Sequence, residues 1–240
     1  MILTAHQPLF LPYLGHFAKI ANSDVFVYLD TVSYSKWGWN SRNKIRTSEG
    51  WLWLVVPILT HGHHNQKLNE IKIDNSQKWR KKHIKAIEMA YSKSPFFKSY
   101  IEFFRDAYNK EWTYLSEINE YFLKFFIKEL GINVEFVKAS SLPFKLEGEK
   151  SDLVLDLCKK MQADVFIFGE TGETYAKIKD FVSSNIKIIF QKYEHPKYKQ
   201  VQEEFIPGMS IIDLLFNCGP QSLEILMKNN NLTYNSGIEK

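Results

Sequence analysis

Cysteine is scarce: only Cys158 and Cys218 occur in 240 residues. That is too few for a thiolate metal cluster or a disulfide framework, and the pair reads as reduced thiols of a cytoplasmic protein. Long hydrophobic runs are missing too. No apolar stretch approaches the roughly 20 residues of a membrane-spanning helix. The N-terminus, interrupted by Pro8 and Pro12, lacks the basic start and long apolar core of a secretory signal. Membrane insertion is therefore not expected. Charge of one sign is not in large excess. A formal net charge of +4 suits an anionic small molecule such as a nucleotide and is too weak to argue for nucleic acid. No repeat or low-complexity tract occurs, and no Ser or Cys stands with a fixed base as an activated nucleophile.

Aromatic side chains are plentiful at 15%, so a sizeable core can form in one domain spanning 1–240. Residues 2–5 read as a short buried strand, and Pro12 fits the first turn of a helix running to about Asn22. "VFVYLD" (25–30) and "WLWLVVPI" (51–58) read as strands, with a polar loop at 60–70 and an extended piece at 71–74. Ser76 is a candidate N-cap for a helix to about Lys93. Residues 96–130 keep a helical pattern rich in Phe and Tyr, closed by Gly131; the stripe over 96–126 reads as core or as a homodimer surface. Strands at 133–140, 163–170 and 186–191 then alternate with helices at 152–161 and 174–184, and a last helix covers 210–219. Strand–helix–strand alternation at both ends predicts a mainly parallel α/β sheet, with 76–130 as a helical insertion packed on it.

In open α/β sheets, ligands bind beyond the carboxyl ends of the strands. Two polar segments fall there. The first holds His6, Gln7, Tyr13, Gly15 and His16. A glycine permits close approach, and a helix N-terminus followed by a histidine favours phosphate. The second is "GETGETY" (169–175), with Gly169, Glu170, Gly172 and Tyr175. After the second strand come Asp30, Lys36, Asn40, Arg42, Asn43 and Lys44, interleaved with Trp37 and Trp39, a pattern able to hold phosphates and stack a base. "QKYEHPKYKQ" (191–200) offers Gln191, His195, Lys197 and Gln200 to complete the cleft. His61, His63 and His64 lack carboxylate or cysteine partners at ligand spacing, so they read as a polar loop and no metal site is expected. In "WRKKHIKAI" (79–87) the charges read mainly as a solvated face, with Lys81, Lys82 or His83 able to reach the site.

Several of these blocks resemble known families. "QPLFLPYLGH" is similar to the His-x-Gly-His signature of nucleotidyltransferases and class I synthetase-type enzymes; Gly15 and His16 match, while Tyr13 stands where the first histidine would be. The stretch from Ser151 to Phe190 resembles pantoate–β-alanine ligases, with Phe168, Gly169 and Glu170 matching and Thr171 in place of a lysine. The closer resemblance, over nearly the whole chain, is to the WbqC-like family. It is carried by "HQPLFLPYLGHFAKI", "SDVFVYLD", "NSRNKI", "IKIDNSQKWRKKHIKAIEMAYSKSPFF", "FGETGETY" and "FIPGMSIIDLLFNCGP". These resemblances imply a Rossmann-like fold of the nucleotidyltransferase type. They also imply ATP, with or without Mg2+, and a role in O-antigen or other surface polysaccharide synthesis.

The first expectation is an ATP-dependent amide-forming ligase or acyltransferase that passes through an acyl-adenylate. It would act on a small molecule such as a nucleotide-linked amino sugar, with His16, His6 and Lys44 as catalytic groups. The alternatives are a nucleotidyltransferase on a sugar phosphate and a non-catalytic nucleotide-binding protein of the same pathway.

Overall fold

The first strand, β1 (Ile2–His6), runs through the middle of a six-stranded sheet and leads into helix α1 (Leu14–Ala21) and strand β2 (Val25–Tyr28). A hairpin follows, β3 (Arg42–Thr47) and β4 (Gly50–Val55), then helices α2 (Trp79–Tyr91), α3 (Phe97–Asn109) and α4 (Leu115–Glu129). The sheet resumes at β5 (Glu135–Lys138), and α5 (Lys150–Lys160), β6 (Val165–Phe168), α6 (Ile178–Ser183) and β7 (Lys187–Tyr193) alternate after it. Helices α7 (Ile211–Cys218) and α8 (Ser222–Met227) and strand β8 (Asn230–Asn235) follow. This computed structural model describes residues 1–35, 38–59, 66–228 and 230–235. Among them no helix is long and apolar enough to cross a membrane.

The sheet order is β5-β2-β1-β6-β7-β8, parallel except for the antiparallel edge strand β8. This is a Rossmann-like α/β fold. The chain moves outward from β1 to β2 and β5, then returns to the other side of β1 as β6. The strand order therefore reverses between β1 and β6, where a doubly wound sheet opens its ligand crevice.

All four residues of β2 are buried because each face of the sheet is covered. Phe26 and Tyr28 point into a core shared with Phe17, Phe104, Phe122, Phe126 and Phe216. Val25 and Val27 point into the opposite core, with Leu3, Leu157, Phe166 and Phe181. Burying one such side chain contributes about 1.5–3 kcal/mol, so the aromatic stripe of α3 and α4 is chiefly core.

Several boundaries differ from the sequence pattern, each for a local reason. The helical run over 96–130 breaks into α3 and α4 at Lys110–Tyr114, while Gly131 adopts a φ of +67° just beyond α4. Ser76 does not cap α2: its hydroxyl bonds to Asp74 at 2.6 Å, and the helix starts at Trp79. Likewise α1 starts at Leu14, after Pro12. "NSRNKI", read as a ligand loop, forms most of β3. It pairs with β4 in a two-stranded sheet apart from the main one, so residues 51–58 do not extend the parallel sheet.

Candidate functional site

A cleft of about 1570 Å3 opens at the reversal point, where the carboxyl end of β1 meets that of β6. His6, Gln7, Tyr13 and His16 line it from the β1–α1 side, and Gly169, Glu170, Thr171 and Tyr175 from the β6 side. Residues more than 150 positions apart in sequence thus share one wall system, as the two strand ends predict.

The β1–α1 turn is held from behind. Asn43 donates to the Leu11 carbonyl at 2.7 Å, Asn40 donates to the Pro8 carbonyl, and Asn119 donates to Asn40's own carbonyl at 2.8 Å. All three amides are buried. Leu11, at φ +46°, occupies a conformation L-residues rarely adopt, which these bonds enforce. Asn40 and Asn43 therefore shape the turn, and neither lines the cleft. At the start of α1, a Cβ on Gly15 would stand 2.6 Å from the Tyr13 ring and 2.7 Å from the Tyr193 ring. What approaches Gly15 is thus two tyrosines. Gln191 donates to the Gly15 carbonyl at 3.1 Å and to Asn230 at 2.7 Å, so it ties α1 to β7 and β8.

His6 and His16 meet edge to face, centroids 5.0 Å apart, and His16 also packs on Phe17 and Phe26 at 5.6 Å each. The His6 Nδ1 pairs with the Gln7 carbonyl at 2.8 Å, while the His16 Nδ1 is buried with no partner among the described residues. Burial, with the positive charge of Lys19 second, lowers His6 to about 3. Burial also holds His16 well below the usual imidazole range. Both rings are neutral at pH 7, so neither brings a standing positive charge to a phosphate.

Lys19 completes this wall. It is buried on α1, one turn beyond His16, and donates to the Ala5 carbonyl at 3.1 Å. Burial lowers its ammonium to about 7. Sequence reading did not single it out; its spacing from Gly15 and His16, on the same helix face, was the available signal.

The far rim is the segment joining β5 to α5. Asp30, at the end of β2, accepts from the Ser140 N–H at 2.9 Å and from its hydroxyl at 2.5 Å. Lys160 on α5 donates to the Lys145 carbonyl at 2.7 Å, and Asp156 accepts from the Glu147 N–H at 2.8 Å. Clamped at both ends, this rim brings Phe144, Lys145, Glu149 and Lys150 to the cleft. With Lys19 and Lys67, four lysines face two glutamates, Glu149 and Glu170. The balance favours an anionic ligand. "SLPFKLEGEK" follows a strand, and that position was the signal sequence reading could have used.

The remaining candidates lie elsewhere. Arg42 and Lys44 project from the outer face of the hairpin, 5.1 Å from the Trp53 centroid and 4.4 Å from that of Trp51; neither lines the cleft. Alternation along β3 turns Asn43 and Ile45 inward and these cations outward. Gly172 lies under Phe168, where a Cβ would sit 2.6 Å from the Phe168 Cβ. His195 packs on Tyr198 and Phe205, and Gln200 bonds Ile206 and Asp213. His83 pairs with the Val55 carbonyl at 3.0 Å, and Lys81 and Lys82 face solvent. Lys36, Trp37 and the histidines at 61, 63 and 64 lie outside the described residues. Among the described residues no group of three or more His, Cys, Asp or Glu side chains could hold a metal ion.

Residues 7–225 match the profile of the WbqC-like protein family. An uncharacterized protein of Mycobacterium tuberculosis, Rv1507c, is 32% identical over 222 residues, covering 92% of this chain and 95% of the relative. No solved structure matches the chain.

Proposed function

The chain belongs to the WbqC-like protein family, and from that premise we propose that it is an ATP-dependent amide-forming ligase or acyltransferase. Its acceptor is an amine, such as an amino sugar of a bacterial surface polysaccharide. The observation that supports this reading best is the cleft at the strand-order reversal, which joins the His6–His16 turn to the Gly169–Glu170 turn and carries an excess of lysines.

A carboxylate of the acyl substrate attacks the α-phosphate of ATP, and pyrophosphate leaves. The amine then attacks the acyl carbon, AMP leaves, and the amine nitrogen releases one proton to solvent as the amide forms. Lys67, Lys145 and Lys150 hold the phosphates by charge, and Tyr13 and Tyr175 offer ring faces to the base. The neutral imidazoles of His6 and His16 serve as hydrogen-bonding groups at the reacting centre. Mg2+, when carried in on the phosphates, would meet Glu149 or Glu170, since this ion commonly uses one or two carboxylates plus phosphate oxygens.

The test is pyrophosphate release from ATP in the presence of paired carboxylates and amines, including nucleotide-linked amino sugars, with products read by mass spectrometry. Release that needs both co-substrates is the expected result. Release that needs only a sugar phosphate would identify a nucleotidyltransferase instead. Nucleotide binding without any turnover would leave a binding role.

A further inference from the structure

Lys19 has 4% of its surface exposed, and its ammonium bonds only the Ala5 carbonyl among the described residues. No carboxylate pairs with it among the described residues, and the two acids of the cleft, Glu149 and Glu170, are no exception. An ammonium buried without an opposite charge is costly, which makes the place unusual for a purely structural lysine. Beside it are His6 and His16, near enough for the Lys19 charge to disfavour protonation of both rings. The His16 Nδ1, on a side chain 2% exposed, has no partner among the described residues. Among the described residues, the side chains that meet α1 from β2, α4 and β7 are Phe26, Phe126, Tyr193 and Gln191, none of them a carboxylate. On α8, Glu224 and Lys228 pair with each other at 3.3 Å at the surface, and on β8 Asn230 is uncharged.

We propose that His6, His16 and Lys19 form a seat for one oxyanion of the substrate, phosphoryl or carboxylate, and that the anion brings a proton into the protein as it binds. The proposal deepens the ligase reading and rests on it only for the identity of the substrates. Without an anion, burial and mutual repulsion keep the cluster poor in protons. An oxyanion among the three groups reverses both effects, because it supplies an opposite charge and hydrogen-bond acceptors within reach. The group that charges first is Lys19, whose ammonium lies near pH 7 to begin with. Binding should therefore weaken as pH rises above 7, by up to roughly tenfold per pH unit for one linked proton.

Calorimetry on the full chain tests this with sulfate as the phosphoryl probe and acetate as the carboxylate probe, since neither titrates between pH 6 and 8. Each titration is run in two buffers of different ionisation enthalpy. The expected result is a buffer-dependent heat at pH 8 corresponding to about one proton taken up per anion. Lys19→Met should abolish that heat and weaken binding at least tenfold, with circular dichroism unchanged. If Lys19→Met does not fold, His16→Asn serves in its place and should weaken the same anion. Preference for sulfate assigns the seat to a phosphoryl group, and preference for acetate assigns it to the acyl carboxylate. No binding of either anion, or binding without proton uptake, overturns the proposal. Anion binding with proton uptake but no ATP turnover would leave the seat standing and remove the ligase reading. Turnover without proton uptake would do the reverse.

Discussion

His6, from the end of a strand, and His16, from the first turn of the next helix, stand with their rings 5.0 Å apart and nearly perpendicular at 82°. The contact lies within the β1–α1 wall of the candidate site, and it is made between neutral rings.

That neutrality predicts acid sensitivity. His6 falls from 6.5 to about 3 on folding, chiefly by burial. Between those values the unfolded chain binds the proton and the folded chain does not. The stability is thus fully present above pH 6.5 and is lost as pH falls toward 3. For His6 alone the loss from pH 7 to pH 5 is up to about 2 kcal/mol. Urea midpoints at the two pH values should separate more for the parent than for His6→Gln; equal separations would refute the assignment.

Lys19 carries the same kind of penalty as His6, in a higher pH window. Its ammonium drops from 10.5 to about 7 on burial, worth at most about 5 kcal/mol against the folded state at and below pH 7. The penalty shrinks as pH rises from 7 toward 10.5, where the unfolded lysine also loses its proton. Lys19→Met should therefore be more stable than the parent at pH 7, and the gap should narrow by pH 10. A variant less stable at pH 7 would show that the Ala5 bond outweighs desolvation.

Gly15→Ala should destabilise by about 1–3 kcal/mol through overpacking. Its new methyl would meet the rings of Tyr13 and Tyr193, at 2.6 and 2.7 Å. Tyr193 is half-buried and donates to the Leu226 carbonyl at 3.0 Å, so it cannot simply swing aside. Thermal melts of Gly15→Ala and of Gly15→Ala combined with Tyr193→Leu decide the point, since the second change should recover part of the loss.

Asn43→Ala removes the donor that holds the Leu11 and Phe10 carbonyls. Buried carbonyls left unpaired cost about 1–3 kcal/mol. The turn bearing His6 and Tyr13 should loosen as well, with faster amide exchange over residues 7–13 than in the parent. Unchanged exchange there would mean that Asn40 suffices alone.

The cations of the cleft and those of the hairpin separate cleanly in the proposed reaction. Lys145→Ala and Lys150→Ala should each raise the apparent KM for ATP several-fold, because a charged phosphate contact contributes roughly 1.5–3 kcal/mol when well formed and less at an exposed site. Arg42→Ala should leave it unchanged, since Arg42 lies over Trp53 away from the cleft. A rise in KM for Arg42→Ala would return the hairpin to the site.

Local pattern determined a good deal here. The apolar runs at 2–5, 25–28, 165–168 and 187–190 are strands because each must cover two faces of a sheet, and the order strand, helix, strand makes that sheet parallel. From this alone the ends of β1 and β6 were expected to face one cleft, with His6, Gln7, Gly15, His16, Gly169 and Gly172 on it; Gly15 lies against two tyrosine rings and Gly172 under Phe168 instead. Tertiary structure decided the rest, because a polar side chain's role depends on partners that sequence spacing does not reveal. Asn43 and Lys44 are neighbours in one strand, yet pleating sends the first inward to the Leu11 carbonyl and the second outward onto tryptophan. Gln191 serves Gly15, 176 positions away, and Asp30 serves Ser140, 110 positions away. Nothing in the local hydrophobic pattern around Lys19 marks it; α1 laid against β1 is what buries its ammonium beside two histidines. Hydrophobic periodicity is a property of a dozen consecutive residues, whereas burial of charge is a property of the whole fold.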